Sequence, residues 1–494
     1  MQKIIFLTAG GSAAIATRLL AKPGTICGEV LQEAFPDHEI HQQLVTPIGY
    51  NEAVVVGNFN FSDADATFEL FDIASLVVVE GAFGLTVVSP ESRGKTRQEL
   101  FLQRVQVRML SAIPETAMGN RFIQIDPQST AMPFYDKPVA RRQAAKPISR
   151  RAAIDLFESR GKPVLLATKS YGYMLKQFEA LADFEAGVCF RDKAGIVTAV
   201  GDSVAGRDVV IIGGTIDHTE TLDLYVLANA VFEADALSMT IVIPYFGYST
   251  MERGKPELHE AVKAAYRARL LSSIPLCPLG NRIVLNDLHS EGIPQYFSDR
   301  VRTSHVYSVK RIIMDMVKEK DSLNGRICTT DAGRGKWAES LVKDINRGLK
   351  ARGVSSDLFW QAAFALKDRK SGSETELLGV LGDVAGRDID LFDDMIRRGT
   401  TAIEAAVGYR NGSAGVVGSG CKKIRFVASH GIFPDGALER LRTAVDLSGE
   451  PLFNEVIVSD SHPNAVRLAD DFLKVRPISH ILVEQVLQLL ARGA

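Results

Sequence analysis

Short apolar runs alternate along the chain with longer stretches in which apolar residues return every three or four positions. The runs Ile4 to Thr8, Val54 to Gly57, Val164 to Thr168 and Val210 to Gly213 are short and largely apolar, which predicts buried strands. Strands that alternate with helical stretches predict an α/β fold with a mainly parallel sheet, because each parallel pair needs a crossover helix.

Two segments repeat each other. Arg108-Met-Leu-Ser-Ala-Ile-Pro114, then Gly119-Asn-Arg-Phe-Ile-Gln-Ile-Asp126, recurs as Arg269-Leu-Leu-Ser-Ser-Ile-Pro275, then Gly280-Asn-Arg-Ile-Val-Leu-Asn-Asp287. Arg93-Gly-Lys95 likewise pairs with Arg253-Gly-Lys255. A separation of roughly 160 residues is that of a duplicated domain, far above a solenoid repeat. Length alone suggests about three domains of roughly 150 residues. The expected boundaries are 1–145 and 146–308 for the two copies and 309–494 for a third unit. Tyr135 to Arg151, basic and punctuated by Pro, is the predicted linker between the copies.

The third unit is expected to open on a helix near Val309, followed by a strand to Thr330. Its central stretch runs from Arg387 to Glu404: an apolar strand ends on Asp393 and Asp394, a small loop turns at Gly399, and a helix follows that Thr401 would cap, with Glu404 three residues on. Carboxylates at a strand's C-terminal end can accept hydrogen bonds from two vicinal sugar hydroxyls, while loop amides and the helix N-terminus suit a phosphate. By spacing alone this is either a phosphosugar cradle or an ordinary strand-to-helix turn with solvated carboxylates. Ile424 to His430 and Glu455 to Asp460 predict two further strands whose polar ends share that sheet edge. Lys367-Asp-Arg-Lys-Ser-Gly372 reads as a charged hairpin tip before a strand at Glu376 to Leu381.

Composition narrows the partners. The 57 basic and 59 acidic residues give a net charge of −2, which favours neither nucleic acid nor a membrane surface. The five cysteines are scattered, with no CxxC pair, so a zinc site or disulfide framework is not expected and a reducing cytoplasm is. The apolar N-terminus is short and continues as strand, Gly turn and helix, unlike a signal peptide, and no stretch approaches the ~20 apolar residues of a membrane span.

The series Ile243-Pro-Tyr-Phe-Gly-Tyr248, Asp287-Leu-His289 with Gln295-Tyr-Phe297, Thr330-Asp331-Ala-Gly333, Asp393-Asp394-Met395-Ile396 with Gly399-Thr400-Thr401, Ser429-His-Gly-Ile-Phe433 and Ala437-Leu-Glu-Arg440 resembles, in order and approximate spacing, the ribose-phosphate pyrophosphokinases. That resemblance implies three tandem phosphoribosyltransferase-type, Rossmann-like domains, the first a second copy of the family's N-terminal domain. It implies transfer of the diphosphoryl group of ATP to ribose 5-phosphate, with Mg²⁺, in a cytoplasmic homo-oligomer that binds neither nucleic acid nor membrane.

By the same resemblance Asp393, Asp394, Arg398, Gly399, Thr400 and Thr401 hold the ribose phosphate. Lys367 and Arg369 match a mobile catalytic loop that stabilises the transferring group, and His289 with Asp331 matches a metal site. Phe35-Pro-Asp37-His-Glu39 resembles the adenine-contacting loop that the family supplies from a neighbouring subunit; the matching place in the second copy, Phe190-Arg-Asp-Lys193, lacks the final glutamate. His289 and Arg253 belong to the same ATP side.

The chain departs from the family in two places. Thr250-Met251-Glu252-Arg253 stands for Arg-Gln-Asp-Arg, and Arg397-Arg398 precedes Gly399-Thr400-Thr401 where Thr-Gly-Gly-Thr is usual. The first copy has Gln128 where the second has His289. Two other readings stand beside the pyrophosphokinase: a non-catalytic homologue that regulates an active partner, and a phosphoribosyltransferase that consumes phosphoribosyl pyrophosphate.

Overall fold

The computed structural model describes residues 4–9, 25–35, 37, 39–90, 96–125, 135–138, 161–319, 323–330, 332–371, 374–411 and 420–491. They fall into two compact units, residues 1–305 with 482–494, and residues 306–481.

The first unit holds two sheets of one design. In the first repeat the order of elements is β1 (Ile4–Thr8), β2 (Thr25–Cys27), the hairpin β3 (Val30–Ala34) and β4 (Ile40–Leu44), β5 (Glu52–Val56), α1 (Ala64–Val79), β6 (Gly84–Pro90), α2 (Arg97–Leu110), β7 (Asn120–Ile125) and β8 (Tyr135–Pro138). The second repeat has β9 (Val164–Ala167), α3 (Gly172–Leu181), β10 (Glu185–Ala186), the hairpin β11 (Cys189–Arg191) and β12 (Val197–Val200), β13 (Asp208–Ile212), α4 (His218–Glu233), β14 (Ser238–Ile243), α5 (Lys263–Ser272), β15 (Asn281–Asn286) and β16 (Arg302–Val306). The sheet orders β2-β1-β5-β6-β7-β8 and β10-β9-β13-β14-β15-β16 coincide, and the first five strands of each are parallel.

The repeated Pro, Gly and Asn serve the same turn twice. Gly119 and Gly280 have φ of +77° and +84°, a left-handed backbone that favours glycine. The following Asn120 and Asn281 donate to the carbonyls of Pro114 and Pro275 at 2.8 and 2.9 Å and accept the amides of Thr116 and Cys277, both at 3.1 Å. The turn thus aims β7 and β15 back into their sheets.

Asp63 and Asp217 cap α1 and α4, accepting the amides of Ala66 at 3.0 Å and Glu220 at 2.7 Å, and a Thr96/Glu99 capping box starts α2. Helices α1 and α4 bury residues on nearly every side, because each packs on its own sheet and on the other helix. One apolar core therefore continues from Phe68 and Phe71 of the first repeat to Tyr225 and Val231 of the second.

Part of the predicted linker is a strand. Tyr135–Pro138 pairs antiparallel with β7 as the edge of the first sheet, a place where Pro is tolerated because its missing N–H faces no neighbour. Residues 139–151 of the linker lie outside the described residues.

The second unit contains α6 (Ser308–Glu319), β17 (Arg326–Thr329), α7 (Gly335–Ala351), β18 (Gln361–Ser371), β19 (Glu374–Leu381), β20 (Asp388–Ile396), α8 (Thr400–Asn411), β21 (Lys423–Gly431), α9 (Ala437–Thr443), β22 (Glu455–Ser459), α10 (Pro463–Leu468) and β23 (Leu473–Arg476). Its sheet runs β19-β18-β17-β20-β21-β22-β23, parallel except for the β18–β19 hairpin. The C-terminal ends of β17, β20, β21 and β22 share one edge, where open α/β sheets hold their ligands. Among the described residues no helix is long and apolar enough to cross a membrane.

Candidate functional site

In the first unit the two repeats meet at the loop after β14. Gly247 lies against the carbonyl of Thr215, where a Cβ would come within 2.0 Å of the oxygen, so only glycine fits. Its amide donates to Thr215 Oγ1 at 2.9 Å. Tyr248 follows with φ of +58°, and Tyr245, Phe246 and Tyr248 are all buried. The aromatic motif therefore holds a strained turn in place, and Thr250 to Arg253 leave from it. Tyr296, from the Gln-Tyr-Phe motif, pins that exit by donating to the Glu252 carbonyl at 2.6 Å.

The first repeat supplies the other wall. The turn between β3 and β4 is closed by the Phe35 amide donating to the Glu39 carbonyl at 2.7 Å, and the rings of Phe35 and His41 lie 6.0 Å apart. Glu39 is buried, and its carboxylate accepts the backbone N–H of Tyr248. Phe35 and Asp37 are half-buried beside it.

Behind this contact lies a buried ion cluster. Asp72 accepts Arg267 Nη1 at 2.7 Å and Nη2 at 3.0 Å, with Lys263 Nζ also at 3.0 Å. Burial alone would raise the Asp72 carboxyl, but Arg267 and Lys263 outweigh it and hold the group well below the usual carboxylate range. The Arg267 guanidinium lies 4.2 Å from the centre of the Phe68 ring and 4.7 Å from that of Tyr248. His218 stacks on Phe68 at 4.9 Å; burial, then Arg267, lower it to about 4, so its ring is neutral.

His289 follows β15 and is half-buried. Asp287, before it, has φ of +39°, and the Leu288 amide donates to His305 Nε2 at 2.9 Å, so the chain leaves the strand through a fixed bend. Arg253 is exposed, its Nε 3.9 Å from Glu252. Asp331 lies outside the described residues. Among the described residues no three His, Cys, Asp or Glu are grouped to hold a metal.

In the second unit Asp393 and Asp394 end β20. Asp393 Oδ2 accepts the Thr330 hydroxyl at 3.0 Å, and Arg334 Nη2 lies 2.6 Å from Asp394 Oδ2. Burial first, then the charge of Asp394, raises the Asp393 carboxyl well above its ordinary value. Trp337 stacks on Phe392 at 3.7 Å and walls the strand end.

The turn that follows is specific. Gly399 has φ of +77°, and a Cβ there would lie 2.9 Å from Leu441. Arg440 donates to the Arg398 carbonyl at 2.8 Å, which gives the Ala437 to Arg440 motif a local role. Helix α8 begins at Thr400, so Thr401 sits inside its first turn and is not the cap, and Glu404 lies one turn further on; the Gly399 carbonyl already accepts the Ile403 amide at 3.0 Å. Arg398, Thr400 and Thr401 are exposed.

On the same edge His430 Nδ1 lies 2.7 Å from Ser461 Oγ, and burial with the neighbouring His430 lowers His462 to about 3. The His462 imidazole is therefore a neutral hydrogen-bonding group.

Lys367 and Arg369 do not lie on a tip. They are residues of β18, paired with Leu377 and Thr375 of β19 across an irregular register, because the strand continues to Ser371. Their side chains are outside the described residues. Sequence reasoning missed Arg334, although a basic residue directly behind Thr330 to Gly333 at the start of a helix was a signal for an anionic neighbour. It also missed the Asp72 cluster, for which no local signal exists.

A sequence model described as the N-terminal domain of ribose phosphate pyrophosphokinase matches residues 189–274. The ribose-phosphate pyrophosphokinase of Haemophilus ducreyi is 29% identical over 294 residues, which cover 59% of this chain and 83% of that protein. That of Brucella melitensis is 26% identical over 301 residues, 60% of this chain and 86% of that protein. The crystal structure of phosphoribosylpyrophosphate synthetase from Mycobacterium smegmatis shares the fold, with a TM-score of 0.54 and 21% identity over 67% of this chain and all (100%) of that one. The chain is a homologue of the ribose-phosphate pyrophosphokinases, with the family's N-terminal domain falling on its second repeat.

Proposed function

We propose that the protein is a ribose-phosphate pyrophosphokinase that transfers the β,γ-diphosphoryl group of ATP to O1 of ribose 5-phosphate, yielding phosphoribosyl pyrophosphate and AMP. The observation that carries the sugar half of this reading is the end of β20. Two carboxylates, one buried and one half-buried, are followed by a left-handed Gly399 and a helix N-terminus, the donor and acceptor set of a phosphorylated sugar diol.

Asp393 and Asp394 accept hydrogen bonds from the two ribose hydroxyls. Amides from Gly399 to Thr401 and the Arg398 side chain take the 5-phosphate. In the first unit Phe35, Asp37 and Glu39 receive adenine, and Arg253 with His289 faces the nucleotide phosphates. Glu39 belongs to the first repeat and holds Tyr248 of the second, which supports completion of the adenine site within one chain. Lys367 and Arg369 neutralise charge that spreads over the diphosphoryl oxygens during transfer; no covalent nucleophile is needed, because the anomeric hydroxyl attacks.

The divalent ion is one that arrives with ATP and keeps most of its water, a reading supported by the lack of any grouped set of three His, Cys, Asp or Glu among the described residues. His289 and Asp331 are the residues that would hold Mg²⁺, which when bound would offset charge on the ATP phosphates. The reading includes a cytoplasmic homo-oligomer.

The test is to incubate the protein with Mg-ATP and ribose 5-phosphate. AMP formed in equal amount with a pyrophosphorylated sugar is expected; ADP, or no nucleotide turnover, overturns the reading.

A further inference from the structure

The two repeats of the first unit face each other through equivalent helices, α1 against α4, with α5 against α1 and α2 against α4. The hairpins follow the same twofold relation: that of the first repeat brings Glu39 to Tyr248, and that of the second brings Asp192 to Gln98 Nε2 at 2.8 Å. Helices α1 and α4 are both 16 residues long and both start from a capping Asp, so Asp72 occupies the place of Val226. The repeat that aligns Arg108 with Arg269 likewise sets Leu102 in the place of Lys263 and Gln106 in the place of Arg267.

The charges break this symmetry. Asp72, Lys263 and Arg267 have side chains fully removed from solvent, and their ion pairs join the two repeats. The mirrored positions, Val226, Leu102 and Gln106, carry no charge.

We infer that the α4–α5 face of the second repeat is built to accept the first repeat of its own chain and to refuse a second copy of itself. Two second repeats set face to face would bury Lys263 and Arg267 of each against Val226, with no carboxylate. Two first repeats would bury Asp72 of each against Leu102 and Gln106. A buried charge stripped of its partner is strongly destabilising, so the mismatch selects the mixed pair by penalising both alternatives. Any homo-oligomer is then assembled on other surfaces. This inference rests on the pairing alone and stands or falls separately from the catalytic reading.

The test uses the full chain with a protease site inserted between residues 139 and 160, cut after purification, and follows by ultracentrifugation whether the two pieces stay together on dilution. The uncut and cut wild-type chains are expected to sediment alike. Asp72→Val should weaken retention of the small piece about a hundredfold or more. Because that variant leaves buried cations unpaired, at a cost to folding, a second one carries Asp72→Val with Lys263→Leu and Arg267→Gln. Removing charge from both sides should restore retention and, relative to wild type, add a self-associated form of the large piece. Retention unchanged in Asp72→Val, or a triple variant that neither regains the small piece nor pairs with itself, would overturn the inference.

Discussion

Glu39 of the first repeat accepts the backbone N–H of Tyr248 of the second, 209 residues away, and so ties a surface hairpin to the turn after β14. Tyr248 is itself held in a left-handed conformation, so the contact fixes where Thr250 to Arg253 emerge. Replacing Glu39 with Ala should raise the KM for ATP about tenfold and leave that for ribose 5-phosphate alone, the size expected when a charged hydrogen bond is lost. Steady-state kinetics with each substrate varied in turn checks this; equal effects on both would separate the hairpin from the nucleotide.

Burial, and then the charge of Asp394, raises the Asp393 carboxyl well above its ordinary value. Sugar hydroxyls donate to the ionised form and favour it, so binding of ribose 5-phosphate should release a proton and tighten as pH rises. Calorimetry in buffers of different ionisation enthalpy measures that proton. Asp393→Asn should abolish the release and raise the KM for the sugar phosphate more than that for ATP.

Changing Lys367 or Arg369 to Ala should lower kcat by about a hundredfold or more with little change in either KM, as for loss of a cation that acts on the transition state. Single-turnover rates test this. An unaltered kcat would return both residues to the surface of the β18–β19 hairpin.

Glu220, buried in the first turn of α4, accepts the Thr168 hydroxyl and the Gly214 amide, the latter at 3.4 Å. Burial raises its carboxyl from the ordinary 4.5 to about 7. Between those pH values the unfolded chain has lost its proton while the folded one keeps it, so the stabilising contribution is complete below 4.5 and lost as pH rises through 7. Glu220→Gln should match the parent near pH 4.5 and exceed it at pH 8 by up to ~3 kcal/mol in denaturant melts.

The strands, the duplicated turn and the strand end at Asp393 and Asp394 were legible in the sequence because their causes are local. An apolar run buries itself as a strand whatever lies beside it. Gly119 and Gly280 answer to a backbone angle, and Asn120 and Asn281 to carbonyls six residues back. Asp393 and Asp394 stand out because two carboxylates at a strand end need a reason.

Only the tertiary structure decided which charges are paired and buried. Asp72 and Arg267 are 195 residues apart, and along the chain each reads as a solvated residue on a helix. The same holds for Arg334 with Asp394. For Lys367 and Arg369, backbone pairing and not local charge set their place within β18. Burial of a charge depends on what packs over it, and a pattern within one segment holds no information about the segment that covers it.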